Sequence, residues 1–278
     1  MICPGCGKLI GVDEERCPFC GAWRPGFYGM TPRLQRLFGR KLDLDSVIFG
    51  ACVALYAVAL ALQPSAIFHP AGGGGPFCVL FNLLSPGTRA LYQLGMTGGI
   101  AWQQGWWWTI FSAIYLHGGL LHIFFNLMWI RQLGPSVTEV YGPGRAFVIF
   151  TLAGAAGFLA SNLLTGVPTI GASGSIFGLL AALIVYGRRR GIPMLSSQLW
   201  QWAIVLFVMG FIMSGVNNWA HLGGFVGGWV SAMAMRFDDE KRETPLVQVL
   251  ALVLLALTAF SVVMSFIRVT QAMMGSQG

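Results

Sequence analysis

Apolar positions along the chain fall into long unbroken runs rather than a two-residue alternation. Seven runs stand out, at residues 46–63, 115–133, 146–164, 170–187, 199–216, 219–236 and 246–267. Each is near the roughly 17–25 residues that an α-helix needs to cross a bilayer. A membrane barrel would instead alternate apolar and polar residues in shorter segments. The pattern predicts an all-α polytopic membrane protein. Between the first two runs lies a long connection, residues 64–114, with Gly72 to Gly75 and then Trp102, Trp106, Trp107, Trp108 and Phe111. Tryptophan favours the headgroup level, so these rings are expected in an aromatic belt on short helices in the outer leaflet. No fixed-period repeat is visible, which disfavours an inverted-repeat transporter.

Composition agrees with this pattern. Of 278 residues, 55% are hydrophobic and only 10% charged, against about a quarter charged in an ordinary soluble domain. That excludes a soluble fold and a disordered chain. The net charge of +7 does not imply a nucleic-acid partner, because the basic residues sit in short groups beside the apolar runs. Arg33 to Lys41, Arg131, Arg145, Arg188 to Arg190, and Arg236 to Arg242 all fall on one side of the seven runs. The opposite side carries Arg89 and Arg268. Positive-inside topology then puts the N-terminus in the cytoplasm and the C-terminus outside. Residues 1–29 lack the apolar stretch of a signal peptide.

Those first residues carry Cys3-Pro-Gly-Cys6-Gly and Cys17-Pro-Phe-Cys20-Gly, two Cys-x-x-Cys pairs separated by ten residues. Each pair can grip one metal from a tight knuckle, and the following glycine lets the backbone fold back toward a sulfur. Four soft thiolates favour structural Zn²⁺. Rubredoxin-like iron, two disulfides or a redox pair are the alternatives, and duplication of the motif argues against the last two. A module this small has almost no core, so the metal should supply its folding energy. The expected organisation is a zinc ribbon at 1–29, a basic linker at 30–45, a membrane core at 46–240, and a seventh span with its tail at 241–278. The ribbon could recruit a cytoplasmic partner.

Polar side chains inside the runs are costly in hydrocarbon and mark function. They are His117, His122 and Asn126 in the second run, Ser173 in the fourth and His221 in the sixth. On a helix, His122 and Asn126 lie about 40° apart, and His117 points roughly 140° away from His122. Ser173, within Gly171-Ala-Ser173-Gly174-Ser-Ile-Phe-Gly178, and His221, within Ala220-His221-Leu-Gly-Gly224-Phe-Val-Gly-Gly228, both lie near the outer ends of their runs. A serine needs a base to become a nucleophile, and histidine is the usual one. A tetrahedral oxyanion needs fixed donors, which His122, Asn126 and a backbone N–H could supply. Between Asp45 and Asp238 the only carboxylate is Glu139, at the inner end of its run. Any catalysis is therefore expected from a Ser–His dyad without an acid.

These residues resemble the rhomboid intramembrane serine proteases over about residues 45–240. The resemblance rests on His117-x-x-x-x-His122-x-x-x-Asn126, Gly171-x-Ser173-Gly174 and Ala220-His221-x-x-Gly224-x-x-x-Gly228, in that order on three runs. It implies a six-helix core with a large first loop, to which the ribbon and the seventh helix are additions. It implies Ser173 as nucleophile and His221 as general base, with an oxyanion hole from His122, Asn126 and the Ser173 amide. His117 would be structural, and Gly224 and Gly228 would pack the sixth span against the fourth. The substrates implied are transmembrane segments of other membrane proteins, cut near the outer leaflet, and the expected location is a prokaryotic inner membrane.

Three positions depart from the family pattern. Trp108 is followed by Thr109 where the family often has Arg, Phe177 stands where many members carry Tyr, and Glu139 comes one place late. A non-catalytic relative that binds membrane clients is the alternative reading, and a small-solute transporter a third.

Overall fold

The computed structural model describes residues 44–64, 83–213, 215–235 and 244–275, with Cys3, Cys6, Lys8, Ile10, Gly11, Glu14 and residues 16–21 of the N-terminal segment. The linker residues Arg33, Arg36, Arg40 and Lys41, the run Gly72 to Gly75, and Arg236, Lys241 and Arg242 lie outside the described residues. From Leu44 onward the described part is helical; among the described residues no strand forms, only an isolated bridge between Thr97 and Thr169 and a bridge residue at Arg16. The helices are α1 (Leu44–Leu62), α2 (Thr88–Gln93), α3 (Gly99–Gln103), α4 (Thr109–Ser112), α5 (Leu120–Tyr141), α6 (Pro143–Leu164), α7 (Ser173–Arg189), α8 (Pro193–Ile212), α9 (Asn218–Ala234) and α10 (Pro245–Gly275), with a 3₁₀ turn at Ala113–Tyr115.

Each of the seven apolar runs corresponds to a long helix, with shifted ends. Proline at the first helical position starts α6, α8 and α10 ahead of their apolar runs. The second run breaks instead of starting as one helix. Residues 113–115 form the 3₁₀ turn, Gly119 precedes α5, and the two parts meet at 92°. The fourth run begins its helix at Ser173, after Gly171 at φ +124°, so residues 170–172 are not helical.

Leu44–Leu62, Pro143–Leu164, Pro193–Ile212 and Pro245–Met274 are each long and apolar enough to cross a membrane, and the bent pair Thr109–Tyr115 with Leu120–Tyr141 makes a fifth. Helices α7 and α9 have 17 residues each, about 25 Å of rise, short of a hydrocarbon core of about 30 Å.

Helices α6, α7 and α9 pack most closely together. Glycine permits the approach: a methyl group at Gly224 would run into the Gly174 backbone, and one at Gly228 into Gly178. Gly157 meets the Ala220 carbonyl in the same way. Around this centre the buried core includes Ile130, Val137, Tyr141, Phe150, Leu180 and Ile184. Helix α10 lies against α6 and against α2 and α4 of the first connection.

The tryptophans of that connection depart from the belt expectation. Trp107 is exposed, but Trp106 and Trp108 are buried, stacked on each other at 6.4 Å and packed with Met264 and Val269 of α10. The seventh helix covers them, so they belong to the protein interior.

Candidate active site

The N-termini of α7 and α9 converge. Ser173 is the first residue of α7, and its Oγ lies 3.0 Å from Nε2 of His221, in the first turn of α9. The glycine contacts between α7 and α9 make this approach possible. The N–H groups of a helix's first turn have no intrahelical carbonyl to bond, so the Ser173 amide is a donor at the same place as its hydroxyl. Phe177, one turn along α7, stacks on the His221 ring at 4.5 Å and 21°. His221 is buried, whereas Ser173 is partly exposed.

The other face of His221 is held by a residue that the sequence reading passed over. Asn218 Oδ1 lies 3.2 Å from His221 Nδ1. With the carbonyl oxygen there, Nδ1–H donates to it and Nε2 keeps its lone pair toward Ser173. The signal was available: Asn-x-x-His places both side chains on one helix face. The spacing alone does not single Asn218 out, because an amide beside an apolar run reads equally as an ordinary helix start. The preceding Asn217 caps α9, accepting from the Trp219 and Ala220 N–H groups, and donates to Ser161 and Thr169.

His122 and Asn126 lie one turn apart on α5. Nδ1 of His122 accepts from the Gly118 N–H at 3.2 Å. Its proton is thereby placed on Nε2, which faces the backbone of Gly171, two residues before Ser173. A side chain at Gly171 would crowd that imidazole. Asn126 Nδ2 bonds the His122 carbonyl at 2.8 Å with one of its two hydrogens, and its Oδ1 is buried without a partner among the described residues.

His117 is not placed as expected. It lies before α5 rather than on it, and its ring meets His122 edge-on at 5.1 Å instead of pointing away. The chain break at Gly118 and Gly119 removes the helical phase from which a separation of roughly 140° follows. His117 is 1% exposed and neither ring nitrogen has a partner among the described residues.

A second cluster lies in the N-terminal segment. The sulfurs of Cys3, Cys6, Cys17 and Cys20 all lie within 4.8 Å of one another. Cys3 and Cys20 are 3.8 Å apart, and Cys6 and Cys17 3.5 Å. None of the four is in a disulfide, and such spacings are far beyond a disulfide bond of about 2.05 Å, which removes the disulfide alternative. They approach the roughly 3.8 Å between sulfurs set tetrahedrally about 2.3 Å from one ion, so the four can hold a metal. Burial pushes the Cys17 thiol up, but the Phe19 and Cys20 amides and the Cys6 and Cys3 thiols together pull it down to about 6, which favours the thiolate that a metal needs. Gly21, at φ +70°, donates its N–H to the Cys17 carbonyl and closes the second knuckle. Gly7 lies outside the described residues.

Comparison with known proteins assigns the sequence to a family. A family model for the Rhomboid domain matches residues 104–237. The chain is 33% identical over 162 residues to "Rhomboid protease GluP" of Bacillus subtilis, covering 57% of this chain and 32% of that protein. It is 30% identical over 171 residues to "Putative rhomboid protease YdcA" of the same organism, covering 59% of this chain and 85% of that protein. It is also 28% identical over 174 residues to "Inactive RHOMBOID-like protein 8" of Arabidopsis thaliana, covering 59% of this chain and 48% of that protein. The chain thus spans from a third to a half of the length of GluP and the Arabidopsis protein. It belongs to the rhomboid family, a multi-pass membrane family that includes serine proteases.

Proposed function

We propose that this protein is an intramembrane serine endopeptidase whose nucleophile is Ser173 and whose general base is His221. The observation that carries the reading is the 3.0 Å approach of Ser173 Oγ to His221 Nε2, with Asn218 on the opposite ring nitrogen. As Ser173 Oγ attacks a peptide carbonyl, its proton passes to Nε2. The Ser173 N–H, His122 Nε2–H and the free Asn126 N–H hold the oxyanion. His221 then returns the proton to the leaving amine, and water releases the acyl group by the same path.

The proposed substrates are transmembrane segments of membrane proteins, entered from the bilayer and cut near its outer face. A helix hides its peptide bonds, so locally helix-weak segments with small residues suit the site best. The shortness of α7 and α9, each about 25 Å long, supports a Ser–His pair below the membrane surface. The proposed boundaries are a zinc ribbon at 1–29, a linker at 30–45, the protease core at 46–240, and the seventh helix with its tail at 241–278. Cys3, Cys6, Cys17 and Cys20 would hold one structural Zn²⁺, on the cytoplasmic side of a prokaryotic plasma membrane, where a cytoplasmic partner could meet it. The active site would open outward.

The test is covalent labelling with a serine-directed fluorophosphonate and cleavage of a panel of single-span substrates, comparing the native chain with Ser173→Ala. Labelling and cleavage that vanish with Ser173→Ala support the protease. Similarity to a protein named inactive favours the non-catalytic client-binding alternative, and a native chain that binds substrates without labelling would establish it.

A further inference from the structure

We propose that the seventh long helix, α10, positions the oxyanion side of the site, and that Ser261 is the residue through which it acts. The inference rests on the protease reading above.

Most of α10 is Leu, Val, Ala and Met, and much of it is exposed. Ser261 and Ser265, four residues apart on one helix face, are fully buried. A hydroxyl buried in such surroundings is unfavourable unless it has partners, and both have them on the first connection. Ser261 donates to the Trp108 carbonyl at 2.6 Å, and its oxygen lies 2.7 Å from Ser112 Oγ. Ser112 Oγ also lies 2.9 Å from the Gly95 carbonyl, so its single proton serves either that carbonyl or Ser261 Oγ. Ser265 accepts from the Trp108 indole N–H at 3.3 Å, and Phe260 meets the Trp108 ring edge-on. The two serines therefore hold both ends of α4.

Other parts of the connection are tied to α1 and α6 instead: Tyr56 donates to the Leu84 carbonyl and Asn162 to Thr97 Oγ1, and the Gly99 N–H bonds the Gly166 carbonyl. Thr109, beside Trp108, keeps its hydroxyl within the loop, on the Trp106 carbonyl and on Thr97. The segment fixed by α10 then continues directly into the site. The Ala113 carbonyl, one residue past Ser112, accepts from the Gly171 N–H at 2.9 Å and so sets the chain entering Ser173. Five residues further on, the Gly118 N–H fixes the tautomer and rotation of His122. A shift of α4 would therefore displace His122 and Gly171 while leaving the His221–Asn218 pair in place.

The experiment uses the full chain in liposomes with one single-span substrate, and measures kcat, KM and thermal stability. The variants are Ser261→Ala, Ser265→Ala, His122→Ala and the double variant Ser261→Ala/His122→Ala. Val263→Ala, at an exposed position of α10, is the control. Because misplacement by less than 1 Å at a reacting group is enough to slow chemistry, Ser261→Ala should lower kcat about tenfold with KM within about twofold. Val263→Ala should leave both unchanged. The double variant should be no more than about threefold slower than His122→Ala, since coupled residues are not additive. A merely stabilising role would instead lower activity and stability together and multiply with His122→Ala, and that outcome overturns the proposal. Should Ser261→Ala fail to fold, Ser265→Ala, which removes only the indole partner, carries the same comparison. A labelled native chain with unchanged Ser261→Ala kinetics defeats this inference alone. An unlabelled native chain defeats the protease reading and this inference with it.

Discussion

Asn218 Oδ1 lies 3.2 Å from Nδ1 of His221, one turn earlier on the same helix. The contact depends on a third residue, because Gly210 of α8 lies so close to the Asn218 amide that a methyl group there would strike Oδ1. Removing the amide by Asn218→Ala frees the imidazole to adopt the other tautomer or to rotate, so kcat should fall by roughly 10–100-fold, within the range that general-base catalysis supplies. Gly210→Ala should give the same loss by pushing Asn218 aside, although it touches neither Ser173 nor His221. Steady-state turnover with one transmembrane substrate decides this. Native rates in both variants would mean that the contact does not orient the base.

Asn126→Ala removes one of three oxyanion donors, so turnover should fall by about 10²–10³-fold, or about 3–4 kcal/mol. His117→Ala should affect chemistry as well as stability, because its ring packs edge-on against His122. The measurements are kcat for each variant, with thermal denaturation to separate folding from chemistry. A His117→Ala chain with lowered stability and unchanged kcat would return this residue to a purely structural role.

The helical class and all seven long helices were legible in the runs of apolar residues, because hydrocarbon length sets a scale that composition reveals directly. Ser173, His221, His122 and Asn126 were legible as polar groups in costly places. Helix phase was not legible where the chain breaks. The turn at Gly118 and Gly119 moves His117 onto His122, and no periodicity reports such a turn. Asn218 was hidden because an amide next to an apolar run reads as an ordinary helix start. Trp106 and Trp108 were misassigned because burial under α10 is a tertiary fact, and tryptophan at a membrane edge looks the same in sequence whether lipid or protein covers it.

The expected orientation rests on Arg188 to Arg190, in the last turn and cap of α7, together with basic groups at 33–41 and 236–242. Reporter fusions after residue 190 should read as cytoplasmic and fusions at the C-terminus as external. A cytoplasmic C-terminus would reverse the assignment or remove α10 from the membrane.

Gly224 and Gly228 carry α9 against α7 at a distance that no side chain fits, and the atoms opposing them are backbone. Backbone cannot rotate out of the way, so Gly224→Ala should destabilise by roughly 1–3 kcal/mol through overpacking. The displaced α9 should also lengthen the Ser173–His221 contact and lower labelling. Thermal denaturation and fluorophosphonate labelling should therefore fall together. Full stability in Gly224→Ala would show that the two helices have room that the structure denies them.

The four-cysteine cluster and the Ser–His pair lie far apart in sequence, and the proposed topology puts them on opposite faces of the membrane. One Zn²⁺ per chain should therefore be found by native mass spectrometry or elemental analysis, and Cys17→Ser should release it. A four-thiolate site has no open position for a substrate or water, so its metal contributes folding energy to the ribbon and no step of proteolysis. A full chain stripped of metal by a chelator should then retain its cleavage of a transmembrane substrate in liposomes. Iron in place of zinc would change the metal without changing this expectation. Loss of cleavage on chelation, restored by adding Zn²⁺ back, would instead mean that the ribbon acts on the membrane core, and the separation argued from sequence distance and topology would be wrong.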